Sequence, residues 1–216
     1  MRRLCVIEAF GLSVPQSLAE VCDPRRCAVI LYDMQAGIVP QIGEGQQVLR
    51  HCQELLQAAR ARGFRIFFAR HMFLPHRAAG VGQLRRSMIW QRQEDPLQLR
   101  PMITYGSDAW QIVPELAPRA DEVMIDKITM SAFEGTFLDI AMRDAHLDAF
   151  VIAGIAMEVG IEPTVRHALD RNYIPVVVTD ACGSKEAELK ERSLKTLAQT
   201  GEVLAVSTAE VVAAMA

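Results

Sequence analysis

Three places along the chain combine residue types that can move a proton or hold an anion. Asp33 closes the apolar run CAVILY at residues 27–32, and Lys127 follows Asp126 at the end of a further strand pattern, from Glu122 to Ile125. An aspartate beside a lysine is an acid/base pair, because the ammonium holds the carboxylate ionised and orients it for proton abstraction. The third place is the glycine-bearing turn Gly154-Ile155-Ala156-Met157-Glu158-Val159-Gly160, which leads into a helical pattern. A helix start presents unpaired N–H groups and the positive end of its dipole, and so suits an anion. Spacing alone leaves a plainer reading open, since an aspartate at a strand end also serves as a helix cap or a loop acceptor.

These residues can act together only if the chain brings them to one edge. Residues 150–153 and 174–179 are apolar strand patterns flanking a helical one at 161–171, which together make a βαβ unit. Upstream, residues 27–32 are a continuous apolar run of the kind a doubly covered parallel strand requires, and residues 64–69 are a second strand. Between them QQVLRHCQELLQAARARG places Val48, Cys52, Leu55, Leu56 and Ala59 on one helical face and stops at Gly63. TFLDIAMRDAHL and EAELKERSLKTLAQTG are further helices, SDAWQIVPELAP begins as a short capped helix, and a last strand at 202–206 precedes a short terminal helix. This alternation predicts a three-layer α/β/α domain with a six-stranded parallel sheet, Rossmann-like, whose strand ends converge on one crevice.

The organisation expected is an N-terminal arm over 1–26, packed on a single domain over 27–216 that carries a lid-like insertion at about 70–107. The insertion holds Arg70, Arg77, Arg85, Arg86, Arg92 and Arg100 against only Glu94 and Asp95, with a helix at QLRRSMIWQRQ. Those arginines form either a solvated rim or a lid biased toward anionic substrates or a partner subunit. With 216 residues, half of them hydrophobic, the chain can bury a sizeable core, and a net charge of −3 gives no pull toward nucleic acid or an anionic membrane. No apolar run reaches membrane-span length and the N-terminus lacks a signal-peptide pattern, so a cytoplasmic location is expected. The five cysteines show no C-x-x-C spacing and are taken as buried free thiols. Of the four lysines, Lys185, Lys190 and Lys195 are assigned to the solvated face of a C-terminal helix, which leaves Lys127 as the exception.

Several segments together resemble the isochorismatase-like, or cysteine hydrolase, superfamily, which includes nicotinamidases, N-carbamoylsarcosine and maleamate amidohydrolases, biuret hydrolase and isochorismatases. They are AVILYDMQ around Asp33, FFARH, SDAWQIVPELAP, DKITMSAFEGTFLD around Lys127, and GIAMEVGIEPTVRHALDRNYIPVVVTDACGS, in the family's order from about residue 27 to 206. The resemblance implies catalytic roles for Asp33 and Lys127. It also implies substrate contacts from Ile155, Ala156, Met157, Phe133, Trp90 and His71. A cis peptide at Ile155-Ala156 and an anion-binding nest that includes the N–H of Gly160 are further implications. Family members assemble as dimers or tetramers, so a homodimer or homotetramer is expected.

The departure from the family is as informative as the match. Where the amidohydrolases carry their nucleophilic cysteine, this chain has Gly160, and Cys182 falls in a segment whose family role is structural. Members that hydrolyse isochorismate also have glycine there and use the aspartate for acid/base chemistry with water. The flanking residues Met157, Glu158 and Val159 stand closer to the amidohydrolase side. The expectation is a hydrolase of a small, anionic molecule with Asp33, Lys127 and Gly160 at its centre and water as nucleophile. A non-catalytic binding or scaffold protein that kept the pocket is the alternative. No cofactor and no metal are expected, because no histidine stands where the nicotinamidases place their metal ligands.

Overall fold

The computed structural model describes residues 7–201 and 203–215. Six strands form one parallel sheet: β3 (Cys27–Tyr32), β4 (Arg65–His71), β5 (Val123–Lys127), β6 (Ala149–Ile155), β7 (Ile174–Gly183) and β8 (Leu204–Val206). Their order is β5-β4-β3-β6-β7-β8. The chain therefore starts in the middle, builds outward through β4 and β5, and returns to the far side of β3 for β6. The switch point lies between β3 and β6, where the connections diverge to opposite sides and leave a crevice at the carboxyl ends.

Both faces of the sheet are covered, and strand alternation makes two cores. Cys27, Val29 and Leu31 of β3 join one cluster with Val48, Cys52, Leu55, Leu56 and Ala59 of α2 (Gly45–Ala61) and Val211 of α7 (Thr208–Ala214). Ala28, Ile30 and Tyr32 face the other side. There they meet Leu138 and Met142 of α4 (Leu138–Asp144), Val165 and Ala168 of α5 (Glu162–Asp170) and Leu197 of α6 (Ala187–Ala198). A strand buried on both faces must be apolar at every position, which is why CAVILY is an unbroken run.

Several elements differ from the sequence expectation. The arm is not packed on the domain throughout: β1 (Ile7–Ala9) and β2 (Leu12–Val14) form an antiparallel hairpin whose apolar residues Ile7, Phe10 and Leu12 are exposed. Only the short α1 (Leu18–Val21), fixed by a Ser17/Glu20 capping box, buries Val21 against the core. The segment after Ser107 holds two 3-10 turns, Asp108–Trp110 and Pro114–Leu116, instead of a capped helix. Ser107 makes no side-chain cap hydrogen bond, and its hydroxyl donates to the Thr104 carbonyl. The insertion carries one helix, α3 (Val81–Gln91), and His71, placed in the lid on sequence grounds, is instead the last residue of β4. Strand β7 runs four residues past the expected end, with Gly154 paired to Cys182 and Ile155 to Gly183. Of the last strand, Glu202 lies outside the described residues.

Gly154 shows why the end of β6 requires glycine. Its φ is +133°, and a Cβ there would stand 2.0 Å from the Tyr32 carbonyl oxygen. Strand β3 can pass this closely only because no side chain intervenes. Gly154→Ala is expected to lower unfolding stability by about 2 kcal/mol or more, through backbone strain and overpacking together. Urea denaturation followed by circular dichroism measures this, and an unchanged midpoint would contradict it.

Candidate functional site

Asp33 follows β3 directly and adopts a left-handed φ of +50°, a conformation that aspartate tolerates better than most residues and that turns the chain out of the strand. Its N–H donates to the Ala69 carbonyl at 2.9 Å, so the turn is tied to β4. Lys127 ends β5, two strands away across β4. Two strand spacings are about 10 Å, a gap only a long side chain can close. The Lys127 ammonium donates to Asp33 Oδ2 at 3.0 Å and also to the Thr129 carbonyl at 3.4 Å. The pair is buried, with Asp33 7% and Lys127 3% exposed.

Burial sets the electrostatics. It raises the Asp33 carboxyl to about 6, and the opposing pull of Lys127 and of the His71 backbone N–H only partly offsets this. Burial likewise lowers the Lys127 ammonium from its ordinary value, against the stabilising charge of Asp33. His71 sits between them at the end of β4, and burial, with Lys127 and Arg86 nearby, lowers it to about 3, so its ring is neutral at physiological pH. Gln35 holds His71 by accepting its N–H at 2.7 Å and donating to its carbonyl at 2.9 Å. Asp33 Oδ1 and His71 Nε2 are buried and, among the described residues, have no hydrogen-bond partner. Both belong to the wall of a pocket of about 310 Å³ at the switch point.

The opposite wall is the turn after β6. The Ile155-Ala156 peptide is cis, and Met157–Ile161 forms a single π-helical turn that runs into α5. The Gly160 and Ile161 N–H groups both donate to the Ala156 carbonyl, at 3.0 and 3.1 Å. The expected nest therefore loses its Gly160 donor, because the tight turn uses that N–H internally. Thr164 fixes the turn from below, donating to the Gly160 carbonyl at 2.7 Å and accepting from the Ala132 N–H at 3.0 Å.

Of the residues expected to contact substrate, Ile155, Ala156, Trp90 and His71 line this pocket, as do Asp33 and Gly160. Phe133 and Met157 do not. Phe133 stacks on Tyr173 with ring centroids 5.3 Å apart, inside the core beneath α5, and Met157 points into the same core with no exposed surface. Within the turn Met157 faces inward while Glu158 and Val159 both face the pocket. Residue types alone did not reveal that phase.

The pocket also takes residues that spacing and residue type did not single out. Tyr32 closes its floor. Glu158 reaches it with a buried Oε2 that lacks a partner among the described residues. Lys185 stands at its rim, exposed and ahead of α6 instead of on that helix. Among the insertion's arginines, Arg70 is committed to Asp126 at 2.9 Å and stacks on Trp110, while Arg77, Arg85, Arg92 and Arg100 are exposed. Arg86 turns inward, 5.9 Å from the ring centres of Phe73 and Trp90, with a buried Nε unpartnered among the described residues. Cys52 and Cys182 are buried, and burial pushes the Cys182 thiol up to about 12. Among the described residues no group of three histidine, cysteine, aspartate or glutamate side chains is placed to hold a metal ion, and no helix is long and apolar enough to cross a membrane.

Comparison with known proteins converges on one family. The isochorismatase domain profile matches residues 27–210. The isochorismatase family protein YwoC of Bacillus subtilis is 28% identical over 173 residues, covering 80% of this chain and 86% of its own length. The ureidoacrylate amidohydrolase RutB of Acinetobacter baylyi is 25% identical over 175 residues, covering 74% of this chain and 71% of its own. Among solved structures, a cysteine hydrolase from Pseudomonas syringae pv. phaseolicola superposes with a TM-score of 0.77 at 25% identity, covering 89% of this chain and 93% of that one. An N-carbamoylsarcosine amidase from Thermoplasma acidophilum has the same fold, with a TM-score of 0.67 at 20% identity and coverage of 85% and 96%.

The Asp33 carboxyl is held down chiefly by Lys127 and up by burial, so removing the cation leaves burial opposed only by the His71 backbone N–H. Lys127→Met is expected to move the Asp33 titration above about 6, read by carboxyl carbon NMR against the parent protein. A downward shift would mean that the cation does not act on this carboxylate.

Proposed function

This chain belongs to the isochorismatase family, and we propose that it hydrolyses a small molecule with water, not a cysteine, as the nucleophile. The observation that carries the reading is the buried Lys127–Asp33 contact at 3.0 Å, in which Lys127 stands behind an aspartate that lines the pocket together with Gly160. Asp33 is the proton-transfer residue. Ionised, its Oδ1 accepts a proton from a water in the pocket as that water attacks, and the resulting carboxylic acid returns the proton to the leaving group. Lys127 holds the carboxylate in place and stabilises its charge. Trp90, His71, Ile155 and Ala156 form the substrate walls, and Lys185 at the rim, with Arg86 packed behind Trp90, favours an anionic group.

The retained pair argues against a purely binding pocket, because two buried charges bring desolvation that a passive cleft does not require. The exposed apolar hairpin supports a homodimer or homotetramer, and a monomer in light scattering at micromolar concentration would count against that assembly.

Purified protein screened against isochorismate, maleamate, nicotinamide and ureido compounds is expected to turn over one of these classes. Asp33→Asn should lower kcat/KM by about 10²–10⁴. Iodoacetamide treatment should leave the rate unchanged. Because the carboxyl titrates at about 6 and must be ionised to accept a proton, the rate is expected to fall as pH drops through that value. Activity lost on alkylation would point to a thiol nucleophile, and binding without turnover across the panel would favour the non-catalytic reading.

A further inference from the structure

Position 160 is unable to carry a side chain while Tyr32 is in place. A Cβ built on Gly160 would stand 2.2 Å from both Cε1 and Oη of Tyr32 and 2.3 Å from its Cζ. Carbon atoms in contact sit about 3.5–4.0 Å apart, so the overlap exceeds what a slight rotation could relieve. The tyrosine is held in place. It is 1% exposed, its hydroxyl donates to the Met130 carbonyl, and the Lys127 ammonium lies over its ring at 4.1 Å from the centroid. The glycine is pinned as well, through its own N–H to Ala156 and its carbonyl to Thr164.

We propose that Tyr32 determines the reaction class open to this pocket: its ring fills the volume that a nucleophilic side chain at position 160 would need. Residues 32 and 160 can then change the chemistry only as a pair. A phenol ring occupies the volume that the amidohydrolases reserve for a thiol, and the same ring forms the floor beneath the Lys127 ammonium. That face is a favourable seat for a cation in a water-poor site. A consequence is that Gly160→Cys alone does not create a reactive thiol, whereas the same change combined with a smaller residue at 32 does. The inference rests on the pocket being the reaction site proposed above.

Four variants of the full chain test it: Gly160→Cys, Tyr32→Val, Tyr32→Phe/Gly160→Cys and Tyr32→Val/Gly160→Cys. Valine keeps a strand-compatible side chain at the end of β3 while removing the ring. The readouts are the thermal unfolding midpoint and the number and rate of thiols reacting with 5,5′-dithiobis(2-nitrobenzoate) under native conditions, each relative to the parent. Gly160→Cys and Tyr32→Phe/Gly160→Cys are expected to have lowered midpoints and no rapidly reacting thiol beyond the parent's. Phenylalanine retains the obstructing ring atoms, so its failure to open the site separates the ring from the hydroxyl. Tyr32→Val/Gly160→Cys is expected to match Tyr32→Val in midpoint and to gain one thiol, reacting at least about tenfold faster than in Gly160→Cys. If Gly160→Cys does not fold, the comparison of the double variant with Tyr32→Val decides in the same way. A single Gly160→Cys protein with the parent's midpoint and an additional reactive thiol overturns the proposal. So does a Tyr32→Val/Gly160→Cys protein that remains less stable than Tyr32→Val. None of these readouts uses substrate turnover, so a failure of the Tyr32 proposal stays distinct from a failure of the Asp33 mechanism.

Discussion

A carboxylate and an ammonium that are both almost dry must lie within hydrogen-bond reach of each other, or burial neutralises them. The Asp33–Lys127 contact at 3.0 Å imposes that constraint on the carboxyl edge of this sheet. It requires β3 and β5 to end level with each other although β4 lies between them. His71 therefore comes to rest between the two charges, held by Gln35. Remove either charge and the other is left buried without compensation, which is why the two residues make sense only together.

The sheet order supplies the space in which the pair works. Since the chain leaves β3 in one direction and returns to its other side as β6, no crossover covers the gap between those two strand ends. The end of β3 delivers Tyr32 and Asp33 to one wall, and the end of β6 delivers Ile155 to Gly160 to the other. The same close approach of β3 and β6 explains both glycines. Gly154 lets the backbones pass, and Gly160 lets the Tyr32 ring fit beneath the turn.

Raising a carboxylate toward neutrality by burial while a neighbouring ammonium limits the rise leaves a group that can both accept and release a proton near physiological pH. That is the property the proposed water-based hydrolysis would require of Asp33. A neutral His71, an unpartnered Asp33 Oδ1 and the Glu158 side chain give the pocket polar groups, while Lys185 places positive charge at its rim. Polarity is thus graded from a tightly paired floor to a cationic rim.

The sequence alone determined the sheet and its covering helices. A strand buried on both faces must be apolar throughout, as CAVILY is, while the apolar stripe of QQVLRHCQELLQAARARG fixed α2. It also singled out Asp33 and Lys127 as candidates, because titratable residues ending predicted strands stand out against their surroundings, while their contact at 3.0 Å came from the sheet order. The phase of the turn after β6 was beyond it: a π-helical turn has no side-chain period that separates inward Met157 from outward Glu158. The hairpin at Ile7–Val14 escaped it too, since three-residue strands carry too few residues for a pattern. Only tertiary structure decided what the glycine at 160 means. Tyr32 reads in the sequence as one more apolar strand residue, and its relation to Gly160 is a matter of volume shared between two residues far apart in the chain, which no local property of either encodes.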